Sequence, residues 1–122
     1  MAIKVAIIGL GIMGRRMLQH MRIHEKFEPN FLWDPDKSAC QKAIEIDSEA
    51  KIMNSPEEAI DAADLVYLAC PPKERESYAI ETAQKGKALF LEKPLGIDND
   101  HSKSIINKLK GFNVPLAVNF TQ

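Results

Sequence analysis

Three glycines and one aspartate carry the first chemical signal in this chain. The run Val5-Ala6-Ile7-Ile8-Gly9-Leu10-Gly11-Ile12-Met13-Gly14 leads an apolar stretch directly into Gly-x-Gly-x-x-Gly, and a helical pattern starts at Ile12. That arrangement suits the pyrophosphate of a dinucleotide. Gly9 permits a tight turn, Gly11 lets the backbone approach the phosphates, and Gly14 lets the helix press against the strand. The unpaired N–H groups of the helix start, around Ile12 and Met13, then face the anion. A glycine-rich packing turn would give the same spacing, so context has to decide. Asp34 lies 20 residues beyond Gly14, at the end of a second apolar run. A carboxylate there accepts hydrogen bonds from the ribose hydroxyls of the adenosine half and repels a 2′-phosphate. Pro35 follows, where a phosphate-binding enzyme often offers an arginine. The cofactor expected is NAD, with NADP disfavoured. The alternative role for Asp34-Pro35 is to cap the next helix, which Asp36 could share. Arg15 and Arg16 flank the helix start, where cations are disfavoured unless an anion is near. Either could touch the pyrophosphate, but a solvated face is expected for both.

A second chemistry is suggested by Glu92-Lys93-Pro94. Oxidising a secondary alcohol sends a hydride from carbon to the nicotinamide while a base takes the hydroxyl proton. A cationic nicotinamide beside Lys93 would favour the neutral amine that this step needs. Lys93 is therefore the candidate catalytic residue, and Glu92 could orient it or bind ribose. Out of context, Glu-Lys-Pro is a turn; behind a dinucleotide fingerprint it becomes a site candidate. His20, His24 and His101 have no partner at metal-ligand spacing, so no metal site is expected. Tyr78 reads as a packing residue inside a helix.

The elements that must position these residues alternate along the chain. Strands are expected over Ile3–Ile8, Phe31–Asp34, Ala50–Met53, Asp64–Cys70, Ala88–Leu91 and Val114–Val118. The first helix should bury Met13, Met17, Leu18 and Met21. Pro35 is expected to open the second, Ser55 to cap the third with Pro56 in its first position and Glu58 closing a capping box, and Lys73–Lys85 to form the fourth. Asp98 should cap a last helix ending at Lys110-Gly111. Six strands alternating with helices predict a three-layer α/β/α domain: a doubly wound parallel sheet of the Rossmann type, strand order 3-2-1-4-5-6. Ligands of such sheets bind outside the carboxyl ends of the strands. Topology then brings Gly9–Gly14, Asp34, Pro71, Pro72, Glu92, Lys93 and Asn119 to one rim, where all are candidate cofactor contacts.

Bulk properties narrow the function. The 122 residues make one domain, 45% hydrophobic and 27% charged, with 16 basic and 17 acidic residues for a net charge of −1. No block of like charge marks a nucleic-acid or membrane partner. Lys4 ahead of an apolar stretch imitates a secretory signal, but three glycines and Arg15-Arg16 spoil it. Cys40 and Cys70 form no ligand or disulfide pattern, as expected of reduced thiols in a cytoplasmic protein.

At Glu92-Lys93-Pro94-Leu95 the chain resembles the N-terminal domain of the glucose–fructose oxidoreductase / inositol dehydrogenase (Gfo/Idh/MocA) family. The likeness also takes in Gly-Leu-Gly-Ile-Met-Gly, Trp33-Asp34-Pro35, Asp64-Leu65-Val66 leading to Pro71-Pro72, and Val118-Asn119-Phe120. It implies NAD(P)-dependent oxidation or reduction of sugars, polyols or related small carbonyl compounds, with Lys93 near nicotinamide and substrate and Asn119 near the nicotinamide ribose. Family members continue into a second domain that holds the substrate pocket and most of the oligomer interface. This chain stops at Gln122. The resemblance therefore implies a cofactor domain, residues 1–122, of a longer enzyme that binds a small-molecule substrate and is a homo-oligomer through the absent domain.

Other readings compete. An enzyme of the 3-hydroxyisobutyrate dehydrogenase type also favours Gly-Leu-Gly-x-Met-Gly, but Glu-Lys-Pro and Asp34 argue against it. A non-catalytic NAD-binding sensor or adaptor is a third reading. A family variant using tightly held NAD in glycoside cleavage would look the same in this domain.

Overall fold

The computed structural model describes residues 2–92 and 99–119. The chain forms β1 (Ile3–Ile8), α1 (Ile12–Arg22), β2 (Phe27–Trp33), α2 (Lys37–Ile46), β3 (Lys51–Ile52), α3 (Pro56–Ala62), β4 (Leu65–Leu68), α4 (Pro72–Gln84), β5 (Ala88–Glu92), α5 (Asn99–Leu109) and β6 (Leu116–Asn119). One six-stranded sheet results, in the order β3-β2-β1-β4-β5-β6. Every neighbouring pair in it is parallel. This is the doubly wound order read from the sequence.

Strand alternation divides the core in two. Val5 and Ile7 of β1 face Leu18 and Met21 of α1 and Ala39 and Ala43 of α2. Ala6 and Ile8 face the other way, into a cluster with Ala59 and Ile60 of α3, Ala79 and Ala83 of α4, and Ile105 and Leu109 of α5. Two opposite faces each covered by helices explain why β1 reads as a continuous apolar run. Full burial of each large aliphatic side chain contributes about 1.5–3 kcal/mol.

Several boundaries differ from the sequence reading. β2 starts at Phe27, four residues before the expected Phe31. Its first part, Glu28-Pro29-Asn30, looks like a turn, yet it pairs with β1 through a register shift between Lys4 and Ala6. Arg22 stabilises that irregular start, donating from Nε to Asp47 Oδ2 at 2.5 Å and from Nη2 to Asn30 Oδ1 at 2.7 Å. α2 begins at Lys37, and Pro35 does not open it, because Asp36 is the cap and accepts from the Ser38 N–H. Ser55 caps α3 as expected, accepting from the Glu58 N–H. On α1 the buried positions are Gly14, Leu18 and Met21, whereas Met13 is 43% exposed. The close seat of Gly14 turns that face toward the sheet and leaves Met13 to one side. Asp98 lies outside the described residues.

Candidate functional site

The three glycines follow one motif, but each has a different physical reason. Gly9 has φ +100°, and a Cβ there would lie 2.6 Å from the Cys70 nitrogen. Backbone conformation and the neighbouring β4 tip both exclude a side chain. A Cβ on Gly14 would stand 1.9 Å from the Gly9 carbonyl oxygen, so this glycine is where α1 touches the turn. Gly11 is unlike either. Its φ of −70° suits any residue, and a Cβ would meet nothing within 4 Å. No described protein atom requires glycine there.

Gly11 is also the N-terminal flank of α1, where no side chain caps the helix and the first turn holds no acidic residue. The positive end of an 11-residue helix therefore faces open space over the residue that has no side chain. This arrangement accepts an anion that approaches the backbone closely. The pyrophosphate of a dinucleotide fits it.

Hydrogen bonds at the tip of β2 set the shape of this turn. The Gly9 N–H donates to the Trp33 carbonyl at 2.9 Å. The Leu10 N–H donates to Asp34 Oδ2 at 2.7 Å, and the Asp36 N–H to Asp34 Oδ1 at 2.7 Å. Asp34 thus joins the glycine turn to the following bend, while Asp36 does the helix capping. Each carboxylate oxygen keeps a further lone pair for a ribose hydroxyl. Arg15, half-buried, donates from Nη1 to the Leu10 carbonyl at 2.7 Å and so holds the opposite end of that residue. Arg16 is exposed.

A cleft of about 480 Å³ opens beside the turn. Gly9, Gly11, Trp33, Asp34 and Pro35 line one side, and Cys70, Pro71, Glu74, Arg75 and Tyr78 the other. Tyr78 packs as the sequence suggested and also faces this space, edge-on to Trp33 with ring centroids 6.4 Å apart. Glu74, Arg75 and Tyr78 did not stand out in the sequence as cleft residues. Their spacing from Pro71, i+3, i+4 and i+7, is one helix face and was the available signal. Burial is the main cause that pushes the Cys70 thiol up to about 11.

The far side of the rim is built differently. Arg75 is 4% exposed and donates from Nη1 to the Glu92 carbonyl and from Nη2 to the Cys70 carbonyl, joining the ends of β5 and β4. The Glu92 carboxylate accepts from the Tyr67 hydroxyl, and both residues are buried. Burial first, then this carboxylate, raises the Tyr67 phenol well above its ordinary value. Asn119 stands beside Glu92 in the β5–β6 ladder. Pro72 opens α4, while Ile12 and Met13 are exposed at the start of α1. Lys93, with Pro94 and Leu95, lies outside the described residues. Among the described residues no three His, Cys, Asp or Glu side chains gather as a metal site, and no helix is long and apolar enough to cross a membrane.

Comparison with known proteins agrees with this geometry. A family model described as an oxidoreductase family with an NAD-binding Rossmann fold, Gfo/Idh/MocA, matches residues 3–120. The chain is 29% identical over 114 residues to an uncharacterized oxidoreductase of Streptococcus pneumoniae serotype 4, covering 92% of this chain and 30% of that protein. It is similar in fold to myo-inositol 2-dehydrogenase from Lactobacillus plantarum, with TM-score 0.84, 23% identity, and 98% of this chain and 37% of that one covered. Biliverdin reductase of Synechocystis, solved with biliverdin and NADP+, gives TM-score 0.85 and 21% identity, covering 96% of this chain and 37% of that one. The chain spans 30% to 37% of the length of these proteins.

Proposed function

The chain belongs to the Gfo/Idh/MocA oxidoreductase family, as its NAD-binding Rossmann domain, and from that premise we propose that it binds NAD in preference to NADP and serves an enzyme that transfers hydride between the nicotinamide and a sugar, polyol or related small carbonyl compound. The observation that carries this reading is Gly11, whose missing side chain leaves open the uncapped N-terminus of α1 while Asp34 stands alongside. NAD supplies the hydride acceptor when bound. The chain's own residues divide the remaining work. Backbone N–H groups around Ile12 and Met13 hold the pyrophosphate, Asp34 accepts from the adenosine ribose, and Trp33, Pro35, Pro71 and Tyr78 give the adenosine half an apolar seat. Lys93 takes the substrate hydroxyl proton, and the carbonyl that precedes it is the one Arg75 holds. Substrate is held by a second domain in the longer enzyme, since the relatives are about three times as long.

Calorimetric titration of the 122-residue chain tests the cofactor part. NAD should bind, and NADP should bind at least about tenfold more weakly, the effect of a carboxylate facing a 2′-phosphate. If neither nucleotide binds, the glycine turn is a packing device and the reading fails.

A further inference from the structure

Resting on that dinucleotide reading, we propose that Glu74 is a second charge selector in the cleft, acting with Asp34 from the opposite wall to exclude a 2′-phosphate on the adenosine ribose. Glu74 sits in the first turn of α4, is exposed, and lines the same cleft as Asp34. Among the described residues no hydrogen bond or ion pair engages its carboxylate. Its charge reaches the groups around it: burial chiefly raises both the Cys70 thiol and the Tyr78 phenol, and Glu74 adds to each.

Two guanidiniums near the cleft are already committed. Among the described residues Arg75 is the cation that lines it, and that guanidinium is buried with Nη1 and Nη2 on the Glu92 and Cys70 carbonyls. Arg15 is turned onto the Leu10 carbonyl. A phosphate monoester carries about −1.5 to −2 charge near neutral pH. Placed on the ribose beside Asp34, it meets one carboxylate at the β2 tip and another across the cleft, with both of these guanidiniums engaged elsewhere.

The two selectors differ in how cleanly they can be tested. Asp34 also accepts from the Leu10 and Asp36 N–H groups, so replacing it disturbs the glycine turn along with the charge. Glu74 has no such structural bond, so its substitution isolates the electrostatic contribution.

The experiment compares NAD and NADP binding to wild type, Glu74→Gln and Glu74→Lys by calorimetry, at salt concentrations of about 0.02 M and about 0.3 M. Glu74→Gln should raise the NADP-to-NAD affinity ratio about three- to tenfold at low salt. Glu74→Lys doubles the charge change, so its ratio should rise by roughly the square of that factor. Both changes should shrink at high salt, as an effect of shape or folding would not. An unchanged ratio in Glu74→Gln, or a change that ignores salt, overturns the proposal. Glu74→Gln keeps the test decisive should the lysine disturb the start of α4. If wild type binds neither nucleotide, the dinucleotide reading fails and takes this inference with it. NAD binding with an unchanged ratio rejects the role of Glu74 alone.

Discussion

The two sides of the sheet's carboxyl rim are built from different materials. On the β1–β2 side, backbone groups make the site: Gly9 donates to Trp33, Leu10 to Asp34, and α1 ends uncapped over Gly11. On the β4–β5 side, buried side chains do so, with Arg75 across two strand ends and Tyr67 on the Glu92 carboxylate. A backbone site depends on which residues lack side chains, and short motifs record that. A side-chain network depends on partners far apart in sequence, such as Tyr67 and Glu92, which are 25 residues apart. The first side can be read locally, and the second appears only when the strands are assembled.

The glycines give the largest test of this contrast. Gly14→Ala puts a methyl group 1.9 Å from the Gly9 carbonyl, so α1 must move or the chain fails to fold. A loss of at least about 3 kcal/mol is expected from such overpacking against backbone. Gly11→Ala meets nothing, so stability should stay within about 0.5 kcal/mol. NAD affinity should nevertheless fall at least about tenfold, because the methyl group fills the approach to the helix end. Chemical denaturation and calorimetry on both variants separate the two roles. Equal stability losses would mean that Gly11 also serves packing.

Arg75 tests the other side. Arg75→Met removes a buried cation and its hydrogen bonds to the Glu92 and Cys70 carbonyls. Losing two charge-assisted hydrogen bonds to carbonyls at buried strand ends costs about 3–5 kcal/mol in denaturant unfolding. Arg75→Lys keeps the charge but has one ammonium for two carbonyls, and should recover only part of this. If the methionine variant loses less than about 1 kcal/mol, side chains do not hold the β5 end, and the distinction between the two sides collapses.

How much could be read beforehand follows the same division. Strand order, the caps at Ser55 and the glycine turn were legible because local pattern decides them. The start of β2 was hidden because Pro29 sits in a strand at a register shift, which Arg22 braces through Asp47 and Asn30, residues distant from it in sequence. The sequence allows Asp34 to be either a ribose ligand or a cap. The structure gives the capping to Asp36 and makes Asp34 the tie between two turns, a role that spacing alone does not reveal. Arg75 has no local signal, and Tyr78 reads only as a packing residue, because a helix face becomes meaningful as a cleft wall only when the strand ends opposite it are known.

The smallest effect concerns the helices behind the β4–β5 side. His101 has no partner at metal-ligand spacing in the sequence; in the fold it and Lys108 hold Glu76, which joins α4 to α5. Hydrogen bonds from Lys108 and then His101 lower the Glu76 pKa from its ordinary value of 4.5. A carboxylate with a depressed folded-state value stabilises the fold fully above its unfolded value. That contribution is lost as the pH falls from about 4.5 through the lower folded value. Lying near the surface, the clasp contributes no more than about 1 kcal/mol. Glu76→Gln should therefore destabilise the chain by up to about 1 kcal/mol at neutral pH, with the gap from wild type closing below the carboxylate range. Thermal unfolding followed across pH 3–7, with flanking values of about those limits, reads this directly. A gap that persists in acid would mean that Glu76 acts by packing, and that the helices behind this side of the rim are joined by shape and not by charge.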